Sequence, residues 1–80
     1  MNKGLPLDIS MWDESCMKCF IQDNSALFYA FASRYVDNPE LIDDFLQEAY
    51  VKLWTHRKTI GKVQSVQKYF FTILQNTIID

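Results

Sequence analysis

The chain has 80 residues, enough for one small domain and too few for two. Hydrophobic residues make up 49% of the chain and aromatic residues 15%, which excludes a disordered chain. Only two Gly and two Pro are present, and this argues against an all-β fold with its many turns.

The net charge of −2 is divided unevenly along the chain. Residues 1–51 carry nine acidic and three basic side chains, whereas residues 52–79 carry five basic side chains and no acidic one. The basic part is a candidate for contacts with phosphate, although ordinary solvated faces would produce the same split.

The start of the sequence lacks the basic and then apolar segments of a signal peptide. No apolar run approaches the roughly 20 residues that cross a bilayer. The sequence therefore predicts a protein without a membrane span, in the cytoplasm, where its two cysteines stay reduced.

Residues 1–10 predict an irregular start. Ser10 and Asp13 have the spacing of a capping box, so we expect the first helix to begin at Ser10. Apolar residues then recur at helical spacing as far as Tyr35. The polar residues 23–25 are a weak point, at which this helix either breaks and restarts or continues.

The second helix has the clearest signals. Asn38 is a capping residue, Pro39 suits the first helical position, and Glu40 favours the positive end of the helix dipole. Gly61 predicts the end of the helix. Its expected apolar face consists of Ile42, Phe45, Leu46, Ala49, Tyr50, Leu53 and Trp54.

Residues 59–64 predict a short loop, and a third helix follows from about Ser65. The residues expected to form its buried stripe are Val66, Phe70, Ile73, Leu74 and Thr77. Phe71 is predicted on the polar side, where it either stacks on an unpaired base or covers a neighbouring element. The sequence thus predicts an all-α fold, a bundle of three main helices in one domain spanning residues 1–80.

No set of catalytic residues is evident, and the sequence predicts no enzyme, cofactor or metal. The single His56 lacks a partner at a telling spacing, and a position near a helix end favours a capping role. Cys16 and Cys19 alone do not complete a tetrahedral zinc site. Packing residues or thiols at the solvent edge are the expected roles for this pair.

Two blocks carry a resemblance to a known family. Residues 43–54, DDFLQEAYVKLW, contain an Asp, a Gln-Glu pair and a terminal Leu-Trp. Residues 65–80, SVQKYFFTILQNTIID, form an aromatic-rich segment that ends in Asn, three residues and Asp. With these blocks, residues 38–80 resemble region 2 of the sigma-70 family, and in particular the small extracytoplasmic-function (ECF) sigma factors.

The resemblance implies two partners. The first block would dock on the clamp helices of the β′ subunit of core RNA polymerase, through Asp44, Gln47, Glu48 and, as support, Trp54. The loop and third helix would hold the non-template strand of the −10 promoter element with a flipped base. The residues implied for this DNA contact are Lys58, Lys62, Gln64, Ser65, Gln67, Lys68, Tyr69 and Phe71. Because Tyr69 matches a family position that is usually core, packing is its expected role.

Two departures from the family pattern leave an alternative open. Thr72 and Gln75 stand where the family usually has arginines. The second DNA-binding domain of the family is absent, so the chain is expected to be either a fragment or a protein with region 2 alone. The alternative is a sigma-like interaction module that binds polymerase or an anti-sigma factor but not DNA.

Overall fold

The structure, a computed structural model, describes residues 8–79. Its elements are a short 3₁₀ turn and three helices: Ile9–Met11, α1 (Glu14–Ser33), α2 (Pro39–Ile60) and α3 (Val66–Ile79). The predicted all-α bundle of three main helices is confirmed. The predictions for residues 1–7 and for Asp80 lie outside the described residues. None of the helices in residues 8–79 combines the length and apolar character that a membrane crossing requires.

The first helix begins later than predicted. Asp13, not Ser10, is its N-cap, and the Asp13 carboxylate accepts a hydrogen bond from the backbone N–H of Cys16 at 2.9 Å. This bond and one from the Cys16 thiol lower the pKa of Asp13. Ser10 belongs instead to the 3₁₀ turn, where its N–H donates to the carboxylate of Asp8. Residues 8–12 are therefore part of the folded domain.

The expected weak point at residues 23–25 does not interrupt α1, which is one continuous helix. Phe20 and Phe28 are both buried, one on each side of it, so a break would disrupt the apolar stripe that both share. Asn24 also makes a hydrogen bond within the helix, since its amide donates to the carbonyl of Phe20 at 2.9 Å. Burial and this bond outweigh the low helix propensity of the segment.

The Asn38 cap and the Gly61 stop of α2 are as predicted, but Thr59 and Ile60, which were expected in the loop, belong to the helix. The side chain of Asn38 accepts from the N–H groups of Glu40 at 2.8 Å and Leu41 at 3.4 Å. Gly61 ends the helix with a positive φ of 66°, and its N–H donates to the carbonyl of Arg57. The backbone therefore turns sharply at Gly61 into the loop of residues 61–65.

The core lies between the three helices and is rich in aromatic side chains. Phe28 and Phe70 have ring centroids 4.4 Å apart, and Tyr50 stacks on Phe70 at 4.9 Å. The ammonium group of Lys52 on α2 donates to the buried hydroxyl of Thr77 on α3 at 3.0 Å. The buried apolar residues are Ile9, Trp12, Met17, Phe20, Phe28, Ala32, Ile42, Leu46, Ala49, Leu53, Val66, Phe70 and Leu74. These contacts fix α3 and the preceding loop relative to α2.

Candidate functional site

An open pocket of about 410 Å³ lies where the loop of residues 61–65 meets α3. It is lined by Val63, Gln64, Ser65, Lys68, Tyr69 and Thr72. Four residues predicted for a DNA contact therefore share one concave surface. We call this the loop pocket.

The start of α3 sets the geometry of the loop pocket. The hydroxyl of Ser65 accepts from the N–H of Lys68 at 3.2 Å, and the carbonyl of Ser65 accepts from the N–H of Tyr69 at 3.0 Å. Ser65 thus acts as the cap of α3, while Lys68 projects from its exposed side. Tyr69, for which packing was expected, is not buried, since 37% of its surface is exposed. Its ring contributes an accessible aromatic wall.

Phe71 was predicted on the polar side of α3, but it does not lie there. It is half-buried, and its ring lies 5.2 Å from that of Phe28 and 4.9 Å from that of Phe31. The helical position of Phe71 points its ring toward α1, so it covers a neighbouring helix. A role for Phe71 in stacking on a base stays a prediction, and the packing accounts for its presence.

The three other residues predicted for DNA lie outside the lining of the loop pocket. Gln67 donates to the side chain of Asn24 at 2.7 Å, which ties it to α1. The ammonium group of Lys58 donates to the carbonyl of Ser10 at 3.0 Å. Lys62 is exposed and directly precedes the pocket residue Val63. Of these three, only Lys62 has no side-chain hydrogen bond recorded among residues 8–79.

The acidic residues predicted for polymerase binding lie on the outer face of α2. Asp44, Gln47 and Glu48 are all exposed, and their spacing places them on one side of the helix. Glu48 lies 3.5 Å from the ammonium group of Lys52. Because this ion pair is exposed to solvent, it contributes little stability and leaves the carboxylate available to a partner. We call these three residues the acidic face.

Trp54 is set apart from the acidic face. It is half-buried and lines a depression of about 340 Å³ between α1 and α2, together with Met17 and Ile21. The guanidinium group of Arg57 lies 3.5 Å from the centre of its ring, close enough for a cation–π interaction. A second depression of similar size contains both Gln47 and Ile21. Trp54 and Gln47 therefore line two depressions that share Ile21.

Val51 is a surface residue that the sequence reasoning missed. Its side chain is 61% exposed, although it is apolar. It follows Glu48 by three residues and Asp44 by seven, so it shares the acidic face. A helical projection of residues 43–54 would have found it. An exposed apolar residue among carboxylates is a typical component of a protein–protein contact.

The thiols and the histidine form no visible reactive site. Cys16 is half-buried and Cys19 exposed, and both are free thiols. Among residues 8–79, no group of three or more His, Cys, Asp or Glu side chains is placed to hold a metal ion. The Nδ1 atom of His56 lies 3.0 Å from the carbonyl oxygen of Lys52, so its ring is occupied within α2.

The two candidate surfaces lie toward opposite ends of α2. The acidic face occupies its first half, and the loop pocket begins beyond Gly61. At 1.5 Å per residue, Asp44 and Gly61 are about 25 Å apart along the helix axis. The acidic face and the loop pocket are therefore two separate surfaces.

Comparisons with known proteins place the chain in a family. The family model "Sigma-70 region 2" matches residues 20–80. The chain is 25% identical over 69 residues to the ECF RNA polymerase sigma factor SigL of Mycobacterium tuberculosis, in strains H37Rv, CDC 1551 and Erdman. The alignment covers 85% of this chain and 39% of the relative. No solved structure is significantly similar to the chain.

Because the family model spans most of the chain, this protein belongs to the sigma-70 region 2 family. Its similarity to the SigL proteins supports the ECF type. The chain spans less than half the length of these curated relatives. The resemblance stated from residues 38–80 is confirmed.

Proposed function

We propose that this domain acts in transcription initiation as a non-catalytic sigma factor region in the cytoplasm. Its acidic face, supported by Trp54, binds the β′ clamp helices of core RNA polymerase. Its loop pocket binds the non-template strand of the −10 promoter element. The observation that carries the proposal is the convergence of Gln64, Ser65, Lys68 and Tyr69 on one pocket in a chain of this family.

The chemistry of the loop pocket suits a base removed from its stack. Flipping a base costs a few kcal/mol, which stacking and hydrogen bonds in the pocket must offset. Tyr69 offers an aromatic face, and Gln64 offers an amide that both donates and accepts. Lys68 and the neighbouring Lys62 supply charge for the flanking phosphates.

The acidic face supports the polymerase contact by its exposure. Asp44, Gln47 and Glu48 are exposed and are not part of the buried core. Exposed Val51 adds an apolar element next to Glu48. Such a mixture of charge and apolar surface favours a partner with a basic, partly apolar surface.

Selection from a randomised pool of single-stranded oligonucleotides tests the DNA contact. Core polymerase carrying the wild-type chain should enrich a short sequence motif that core polymerase alone does not enrich. Gln64→Ala should relax that motif, because it removes a hydrogen-bonding side chain from the pocket. Gln22→Ala is the matched control, since Gln22 is exposed on α1 and lies outside the pocket lining.

A protein-only interaction module is the second candidate. It is favoured by the neutral Thr72 in the pocket wall and by the internal hydrogen bond of Lys58, both of which reduce the cationic surface. Such a module would bind polymerase or an anti-sigma factor without DNA. It predicts that the chain enriches no oligonucleotide, even at low salt, where phosphate contacts are strongest. A salt-sensitive, sequence-selective enrichment would eliminate it.

A further inference from the structure

Residues 8–12 cross the end of α2 and pair with the loop of residues 61–65. The N–H of Ile9 donates to the carbonyl of Gly61 at 3.0 Å. Asp8 and Lys62 form an antiparallel β-bridge at the next position. We call residues 8–12 the N-terminal strap. Through these contacts, the strap meets the loop immediately before the residues that line the loop pocket.

Two cations near the end of α2 hold the strap by its backbone. The guanidinium group of Arg57 donates to the carbonyl of Trp12 at 3.1 Å. The ammonium group of Lys58 donates to the carbonyl of Ser10 at 3.0 Å. Hydrogen bonds from charged donors are stronger than neutral ones. Part of the basic segment therefore serves contacts within the protein.

The strap is also anchored in the core. Ile9 is 1% exposed and Trp12 is 2% exposed. The ring of Trp12 lies 5.2 Å from that of Phe20 on α1. The strap therefore connects α1, the end of α2 and the loop, and it restrains a loop that would otherwise be among the least stable parts of the fold.

We propose that the N-terminal strap fixes residues 61–65 in the conformation that forms the loop pocket. Ile9 and Trp12 are then positioning residues for nucleic-acid recognition, and Arg57 and Lys58 anchor the strap instead of contacting phosphate. A loop that is ordered before binding avoids the entropy loss of ordering on binding. The part of this inference that concerns DNA rests on the proposed function, whereas the restraint of the loop does not.

The salt dependence of binding separates an anchor from a phosphate contact. Binding of a fluorescent single-stranded oligonucleotide to the chain, in complex with core polymerase, is measured over a series of salt concentrations. Each lost phosphate contact should lower the slope of log affinity against log salt by about 0.7. Lys68→Gln should show this loss. Lys58→Gln should weaken binding by a similar factor at every salt concentration and keep the wild-type slope.

A second measurement tests the restraint without DNA. In Ile9→Pro the donor to Gly61 is lost, while the first position of the 3₁₀ turn accepts proline. Ile9→Val trims the side chain but keeps the donor, so it is the matched control. Amide hydrogen exchange of residues 61–65 should be roughly fivefold faster in Ile9→Pro than in Ile9→Val, as expected for the loss of one hydrogen bond.

The outcomes are distinct. If the salt dependence in Lys58→Gln falls as far as in Lys68→Gln, the anchor role of Lys58 is overturned. If Ile9→Pro keeps its helical circular dichroism and the exchange of residues 61–65 is unchanged, the restraint of the loop is overturned. If Ile9→Pro loses its helical circular dichroism, exchange in Lys58→Gln decides the same question, and unchanged exchange there overturns the restraint. If the wild type binds no oligonucleotide, the DNA function fails and the exchange measurement still decides the restraint of the loop.

Discussion

At the scale of single residues, Tyr50 combines a stabilising ring with an unfavourable hydroxyl. Its ring stacks on Phe70, but its buried hydroxyl has no hydrogen-bond partner within residues 8–79. An unpaired buried hydroxyl costs free energy because its bonds to water are not replaced. Burial also raises the pKa of Tyr50 from 10.0 to about 12.

We therefore expect Tyr50→Phe to leave the protein equally stable or up to about 1 kcal/mol more stable at neutral pH, as measured by urea unfolding. The variant should also resist alkali better. In the wild type, the unfolded chain ionises Tyr50 from about pH 10, whereas the folded chain holds the proton to about pH 12. The contribution of Tyr50 to the free energy of unfolding is therefore unchanged below pH 10 and falls as the pH rises toward 12.

The difference between the two unfolding series isolates Tyr50, because all other tyrosines are common to both proteins. A Tyr50→Phe variant that is clearly less stable at neutral pH would show that the hydroxyl has a favourable partner. An identical decline of both proteins between pH 10 and pH 12 would contradict the effect of burial on its pKa.

The grouping of single residues on one surface was predictable where they are neighbours in the chain. The loop pocket collects Gln64, Ser65 and Lys68 because they are neighbours in the chain. The environments of Lys58 and Phe71 were missed, since each depends on a distant partner. Ser10 lies 48 residues from Lys58, and helical periodicity carries no information about such a pairing.

At the scale of secondary-structure elements, the end of α2 depends on one glycine. Gly61 has φ 66° and ψ −137°, a region that is open almost only to glycine. A Cβ atom at this position would meet nothing within 4 Å, so any cost of substitution lies in the backbone itself. The same residue accepts the hydrogen bond from the N-terminal strap.

Gly61→Ala should therefore destabilise the protein by about 1–3 kcal/mol in urea unfolding, through backbone strain alone. Gln75→Ala is a suitable control, because it introduces alanine at an exposed position in the interior of α3. Unfolding free energies that agree for Gly61→Ala and the wild type would mean that the helix end does not require glycine.

The sequence predicted the bounds of α2 more accurately than those of α1. For α2, Asn38, Pro39 and Gly61 are strong local signals, and the predicted cap and stop were correct, although the loop was predicted to begin two residues too early. For α1, Ser10 and Asp13 competed as the cap, and residues 23–25 suggested a break. The continuous helix follows from burial of Phe20 and Phe28 against the other helices, which local propensity does not register.

At the scale of the whole molecule, the charge split of the sequence corresponds to two separate surfaces. The acidic face lies on the first half of α2, and Lys62 and Lys68 lie beside the loop pocket. Composition alone did not distinguish this arrangement from ordinary solvated faces. Because both surfaces lie on one helical bundle, the proposed polymerase contact and the proposed DNA contact would be held at a fixed separation.

The most direct test of the proposed polymerase contact is the binding of the chain to core RNA polymerase. Affinity is measured on immobilised core enzyme for the wild type and for a variant with Asp44→Ala and Glu48→Arg. Asp23→Arg serves as the control, since it reverses a charge at an exposed position on α1. We expect the double variant to bind at least about tenfold more weakly, as for the loss of complementary charges, and the control to bind like the wild type. Wild-type affinity in the folded double variant would contradict the account.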